Sequence, residues 1–206
     1  ASRVGSRLAP INLYRDTQTG PTDGMRAAIA QAEVGDEQRG RDPTTRALQE
    51  RVAGLLGHEA AVFLPSGTMC NEIAIRLHVR PGGDEMIAGS SAHPVVAEAG
   101  APAQFAGAMV RTIDGVGGVF TAAEVEAAVR WRVDRYTPRS RLVAIEQTTN
   151  MGGGRVWPLE TIREVLEVAR RHGMRAHLDG ARLINAVVAS GVSASDYALG
   201  FDTAWI

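Results

Sequence analysis

In His177-Leu178-Asp179-Gly180-Ala181-Arg182 a carboxylate and a guanidinium sit at the exit of an apolar run. Charged side chains are seldom buried without a partner. One reading is a plain structural ion pair between Asp179 and Arg182. The other is chemical: a carboxylate held at a strand exit keeps a ring nitrogen protonated by opposite charge. Acidic residues do this for the pyridinium of pyridoxal phosphate (PLP), whose ring then serves as an electron sink. Arg182 would stabilise the phenolic oxygen of such a ring.

Two further groups fit the same chemistry. Ser66-Gly67-Thr68 follows an apolar run and opens a helical pattern, so its backbone N–H groups and hydroxyls would meet a phosphate at the positive end of a helix. The structural alternative is an N-cap serine and a glycine that relieves a tight turn. His93, ahead of Pro94, could lie against an aromatic ring or exchange a proton; a loop histidine without a role is the alternative. His58, His78 and His172 read as exposed, and His177, inside a strand, as structural. PLP enzymes hold the cofactor as a Schiff base on lysine, yet all 22 basic residues here are arginine.

These groups need a scaffold, and the periodicity supplies one. Residues 1–22 read as an irregular polar arm. Met25, Ile29 and Ala32 recur at helical spacing, and Asp42 with Pro43 starts a helix through Leu48, Val52, Leu55 and Leu56 that stops at Gly57. AAVFL (60–64) predicts a strand, followed by a helix through Met69, Ile73, Ala74 and Leu77. EMIA (85–88), MVRTI (109–113), RLVAIE (141–146), RAHLD (175–179) and DTAWI (202–206) predict further strands. Between them come a helix after Pro94, one from the Thr121/Glu124 capping box to about Trp131, one from Leu159 to Gly173, and one through ARLINAVVAS. Alternating strands and helices imply an α/β fold, a mainly parallel sheet with helices on both faces, whose ligands sit at the carboxyl ends of the strands. Ser66–Thr68, His93, Glu146–Asn150 and Asp179–Arg182 all fall there.

Composition narrows the classes. The 206 residues, 45% hydrophobic and 22% charged with a net charge of −1, describe one large globular domain and give no sign of a polyanion binder. The single Cys70 excludes an intrachain disulfide, and no Cys/His spacing suggests a metal. No apolar stretch approaches the roughly 18 residues of a membrane span, and the N-terminus lacks a signal-peptide core, which points to the cytoplasm. Arginine in place of every lysine fits a GC-rich bacterial genome. GVGGVF (115–120) does not match the dinucleotide fingerprint, and no P-loop, GxSxG or HExxH is present.

Taken together, AEVGDEQRGRDPTTRALQE (32–50), FLPSGTMCNEIA (63–74), AHPVVAEAG (92–100), EQTTNMGGGRVWPLE (146–160) and HLDGARL (177–183) resemble the threonine aldolase / β-eliminating lyase family. The resemblance runs from about Ile11 to Ile206. It implies the large domain of the aspartate aminotransferase-like fold (residues 23–206), PLP as cofactor, an amino acid as substrate, and a homodimer or homotetramer. It implies that Gly67 and Thr68, beside Ser66, bind the cofactor phosphate, that His93 stacks on the ring, that Asp179 pairs with its nitrogen and that Arg182 meets its oxygen. The activity implied is cleavage of β-hydroxy-α-amino acids to glycine and an aldehyde. It also places the Schiff-base lysine a few residues past DTAWI, and a smaller C-terminal domain after that, both beyond Ile206.

Three positions depart from the family pattern. Arg15 stands where a serine is usual and Arg39 where a tyrosine is usual; both are surface arginines, or both select a substrate with an additional anionic group. Thr149 in EQTTN replaces a histidine associated with the substrate hydroxyl, and threonine has no useful proton affinity near neutral pH. The competing functions are β-elimination or another reaction at Cα, and a non-catalytic subunit of the same fold.

Overall fold

A computed structural model describes residues 14–130 and 134–206. The first part of the predicted arm and Trp131 lie outside the described residues. Two compact units divide between Arg46 and Ala47.

The first unit holds a 3-10 turn at Asp16–Gln18, helix α1 (Asp23–Gln31), a second turn at Glu37–Arg39 and the start of α2 (Pro43–Leu56). Asp42 fixes the entry to α2: Oδ1 accepts from Thr45 N–H at 2.7 Å and Oδ2 from Gly35 N–H at 2.8 Å. Capping of this kind satisfies helix donors that have no intrahelical acceptor.

In the second unit a parallel sheet has the order β2-β1-β3-β4-β5. Its strands are β1 (Asp84–Gly89), β2 (Met109–Ile113), β3 (Arg139–Glu146), β4 (Arg175–Asp179) and β5 (Thr203–Trp205). Every pairing is parallel. The connecting helices are α3 (Gly67–His78), α4 (His93–Val96), α5 (Ala101–Phe105), α6 (Ala122–Ala128), α7 (Leu159–Arg171), α8 (Leu183–Ser190) and α9 (Ala194–Ala198). Strand periodicity divides the core in two. Ile87, Val143, Ile145 and Leu178 pack with α6, α7, α8 and α9, while Met86, Ala88, Leu142 and Ala144 pack with Ile75 of α3 and Ala106. Burying each large side chain of this kind contributes about 1.5–3 kcal/mol.

Three expectations are corrected. AAVFL joins no ladder; a strand requires a hydrogen-bonded neighbour, and Phe63 N–H donates instead to Gln49 Oε1 at 2.8 Å. The helix expected after Pro94 is two short helices, because the backbone turns at Ala99 (φ 53) and Gly100 (φ 77). Finally, of the apolar residues that marked α3 only Ala74 turns inward. Asn71, Glu72, Ala74 and Ile75 are buried, whereas Met69, Ile73 and Leu77 are exposed, Ile73 and Leu77 bordering an apolar cavity of about 380 Å³ that Trp205 also lines.

Candidate functional site

The hub of the site is Asn71, fully buried on the inner face of α3. Its Oδ1 accepts from Trp205 Nε1 at 2.7 Å and lies 3.1 Å from His177 Nε2. Indole N–H is a donor only, so this contact fixes the amide orientation. His177 therefore carries its proton on Nε2, and its Nδ1 accepts from Thr203 Oγ1 at 2.8 Å. Burial pushes the His177 pKa down to about 3, so the ring stays neutral. The Asn71 Nδ2 group then donates twice, to Asp179 Oδ2 at 2.9 Å and to Glu98 Oε1 at 2.8 Å. All four hydrogen-bonding positions of the amide are used.

Asp179 closes β4, beside Glu146 at the end of β3 in register. Its second oxygen accepts from Ala181 N–H at 3.1 Å. Burial raises its proton affinity against the lowering effect of those two bonds. Glu146 is likewise pushed up to about 7, first by burial and then by the Asp179 charge, while its Oε2 accepts from Asn150 N–H at 3.2 Å. A desolvated carboxylate without bulk water gains most from a protonated ring nitrogen, so Asp179 fits the pyridinium of PLP.

His93 opens α4, and its Nδ1 lies 2.6 Å from Glu98 Oε1. Its side chain is 35% exposed, leaving the ring able to meet a ligand. His93, Glu98, Asn71 and Asp179 thus form one chain of hydrogen bonds. Arg182 stands just before α8; its N–H donates to Gln147 O at 3.1 Å, and its charge lowers the pKa of Glu146.

Ser66 caps α3 through Oγ, which accepts from Met69 N–H at 3.2 Å. Gly67 and Thr68 form its first turn, where backbone N–H groups have no intrahelical acceptor and suit a phosphate. Gly67 has a further reason to be glycine: a Cβ there would fall within the Trp205 indole. Tight approach also governs the loop after β3. Thr149 is buried, its Oγ1 accepts from Arg155 N–H at 3.2 Å, and a side chain at Gly152 would collide with it. Arg15 and Arg39 belong to the first unit and are exposed there. The Arg15 guanidinium lies 5.3 Å from the Tyr14 ring centre, and Arg39 Nε is 3.5 Å from Asp36.

The structure therefore brings His93 and Asp179 together through two residues the sequence had not singled out, Asn71 and Glu98, and sets Glu146, expected at a strand end, beside Asp179. A signal was available for Asn71: a polar pair, Asn71-Glu72, interrupts the apolar spacing of α3 about one turn from its start at Gly67.

Comparison with known proteins gives concordant results. The family profile described as beta-eliminating lyase matches residues 12–206. A probable low-specificity L-threonine aldolase of Arabidopsis thaliana is 42% identical over 187 residues, 90% of this chain and 53% of that protein. The low specificity L-threonine aldolase of Escherichia coli K12 is 39% identical over 182 residues, 88% of this chain and 53% of its own length. Among solved structures, a Leishmania major threonine aldolase superposes with a TM-score of 0.74 at 26% identity, covering 89% of this chain and 53% of that one. A Thermus thermophilus aspartate aminotransferase variant, 20% identical with a TM-score of 0.53 over 74% of this chain and 41% of its own, shares the fold. The chain spans about half the length of the curated relatives it matches.

Proposed function

The chain belongs to the beta-eliminating lyase family, and from that membership we propose that it forms the PLP site of an aldolase that cleaves β-hydroxy-α-amino acids to glycine and an aldehyde. The observation that carries this reading is Asp179: a buried carboxylate at the carboxyl edge of a parallel sheet, oriented by Asn71 and the Ala181 N–H, with raised proton affinity. PLP, when bound, withdraws electrons from the substrate Cα.

The chain's own residues do the rest. Asp179 holds a proton on the ring nitrogen by charge. Ser66, Gly67 and Thr68 at the start of α3 would hold the phosphate, Arg182 would pair with the ring oxygen, and His93 would stack on the ring. Thr149 supplies no base, because a hydroxyl does not take up protons near neutral pH. A proton-accepting group for the substrate hydroxyl must therefore be another one, and His93, partly exposed and held at Nδ1, is the proposed group. Arg15 and Arg39 are proposed to favour substrates with an additional anionic group, so Arg15→Ser should reduce turnover of acidic substrates selectively; an equal loss on neutral and acidic substrates contradicts that assignment. A homodimer or homotetramer and a cytoplasmic location accompany the proposal. Among the described residues no helix is long and apolar enough to cross a membrane.

The test is a product analysis of the full-length protein supplied with PLP and a panel of β-hydroxy-α-amino acids. Glycine and aldehyde in equal amounts are expected. Ammonia with a keto acid would replace the aldolase reading by β-elimination, and the absence of both products together with no cofactor absorbance would leave a non-catalytic member of the fold.

A further inference from the structure

Glu72 and Glu98 are buried side chains, 7% and 5% exposed. They come from different elements, Glu72 from α3 and Glu98 from the turn between α4 and α5. The Glu72 carboxyl neighbours that of Glu98; burial and then the Glu98 charge raise its proton affinity. Glu98 Oε1 is used twice, by His93 Nδ1 at 2.6 Å and by Asn71 Nδ2 at 2.8 Å. The remaining three oxygens, Glu72 Oε1 and Oε2 and Glu98 Oε2, are buried with no donor among the described residues. Two facing carboxylates without a donor cannot both stay ionised, and one proton held between them resolves the repulsion and satisfies the oxygens. The turn that presents Glu98 is itself costly, since Ala99 adopts φ 53 without being glycine.

We propose that Glu72 and Glu98 form a buried acid pair holding one proton, and that this pair is a positioning device for His93. Glu72 O–H donates to Glu98 Oε2, and Glu98 Oε1 stays ionised to accept from His93 Nδ1–H and from Asn71. The Nδ1–H tautomer of His93 is thereby selected, which leaves Nε2 as the bare, proton-accepting nitrogen on the partly exposed side of the ring. Glu72 and Glu98 are positioning residues: they act on ligand chemistry only through His93. Burial and the Glu98 charge push the Glu72 pKa up to about 8, so the pair keeps its proton through neutral pH. The groups that face the pair are His93 from α4 and Asn71 from α3, with Asp179 of β4 behind Asn71. The role assigned to the bare Nε2 rests on the function proposed above; the tautomer does not.

The test is nitrogen-15 NMR of the histidine side chains in the full-length protein without cofactor, with His93 assigned from the resonances missing in His93→Asn. The native protein should show His93 with its proton on Nδ1 at pH 7, and its nitrogen shifts should step around pH 8, the tautomer kept, as Glu72 ionises and Glu98 becomes the stronger acceptor. Glu72→Gln keeps a donor to Glu98 Oε2 and has no proton to lose, so it should keep the native tautomer and lose the alkaline transition. Glu98→Ala should shift His93 to the commoner Nε2–H form, with far-ultraviolet circular dichroism confirming that the variant is folded. An Nε2–H tautomer in the native protein, or an alkaline transition unchanged in Glu72→Gln, overturns the inference. A PLP titration of the native protein by cofactor absorbance is read separately. Failure there removes the proposed function and leaves the acid pair standing.

Discussion

Buried acids occur at both ends of the same sheet, and they are treated in opposite ways. At the amino-terminal end of β1, beside the start of β3, Asp84 and Glu85 are each 1% exposed. Glu85 is fully answered: Arg130 Nε lies 2.8 Å from Oε2 and Ser140 Oγ donates to Oε1 at 2.8 Å. Asp84 Oδ2 accepts from Arg80 N–H at 2.9 Å, and Oδ1 has Arg139 at 2.6 Å as an ion pair outside hydrogen-bond geometry. At the carboxyl-terminal ends, Asp179, Glu98 and Glu72 face amides, an imidazole and one another. The first set ties strands to their surroundings with arginine. The second leaves negative charge in a desolvated place, at a standing cost that a bound cation or proton would offset. That difference separates a structural acid from one available for chemistry.

The contrast is broken most severely at Asp179. Asp179→Asn should weaken PLP binding on the order of 10²-fold, as expected for losing a charged hydrogen bond, with little change in the melting temperature of the cofactor-free protein. Cofactor titration and thermal melts of one preparation check both halves. Glu85→Ala should do the reverse. It leaves Arg130 and Ser140 without their acceptor and should cost about 2–3 kcal/mol in a denaturant melt, with PLP affinity unchanged once the variant is folded.

Gly67→Ala affects both regions, since the added methyl must displace the Trp205 indole and with it the hydrogen bond to Asn71. A loss of about 1–3 kcal/mol is expected, with weaker cofactor binding, read from the same pair of measurements. The smallest effect is the pH dependence contributed by Glu146. Its pKa is raised from 4.5 to about 7, so the folded state binds more protons than the unfolded state between those values, and stability falls as pH rises through that window. Glu146→Gln should remove that decline. Melting temperatures from pH 4.5 to 8 measure the change in slope, and an unaltered slope would assign Glu146 an ordinary carboxyl.

Much of this organisation was legible in the sequence, for identifiable reasons. β2 and β4 coincide with MVRTI and RAHLD because an apolar run between turn residues has few alternatives inside a parallel sheet. The Thr121/Glu124 capping box forms, with Thr121 N–H donating to Glu124 Oε2 at 2.7 Å. Asp179 was found because a strand exit is an unusual place for acid. What escaped was the support around it. Asn71 and Glu72 are polar residues on a half-apolar helix, where helical periodicity assigns them to solvent, and Glu98 lies in the turn between two short helices. Only their mutual satisfaction makes burial tolerable, and hydrogen bonds between residues 27 and 108 positions apart leave no trace in local spacing. AAVFL failed for the opposite reason: its strand propensity is plain, but a strand also needs a neighbour.

The most direct measurement of the central claim is the nitrogen-15 chemical shift of ring-labelled PLP bound to the full-length protein at pH 7, in the native form and in Asp179→Asn. A protonated ring nitrogen in the native protein that becomes unprotonated in the variant is the predicted result. An unprotonated nitrogen in the native protein, or one indifferent to Asp179, would contradict it.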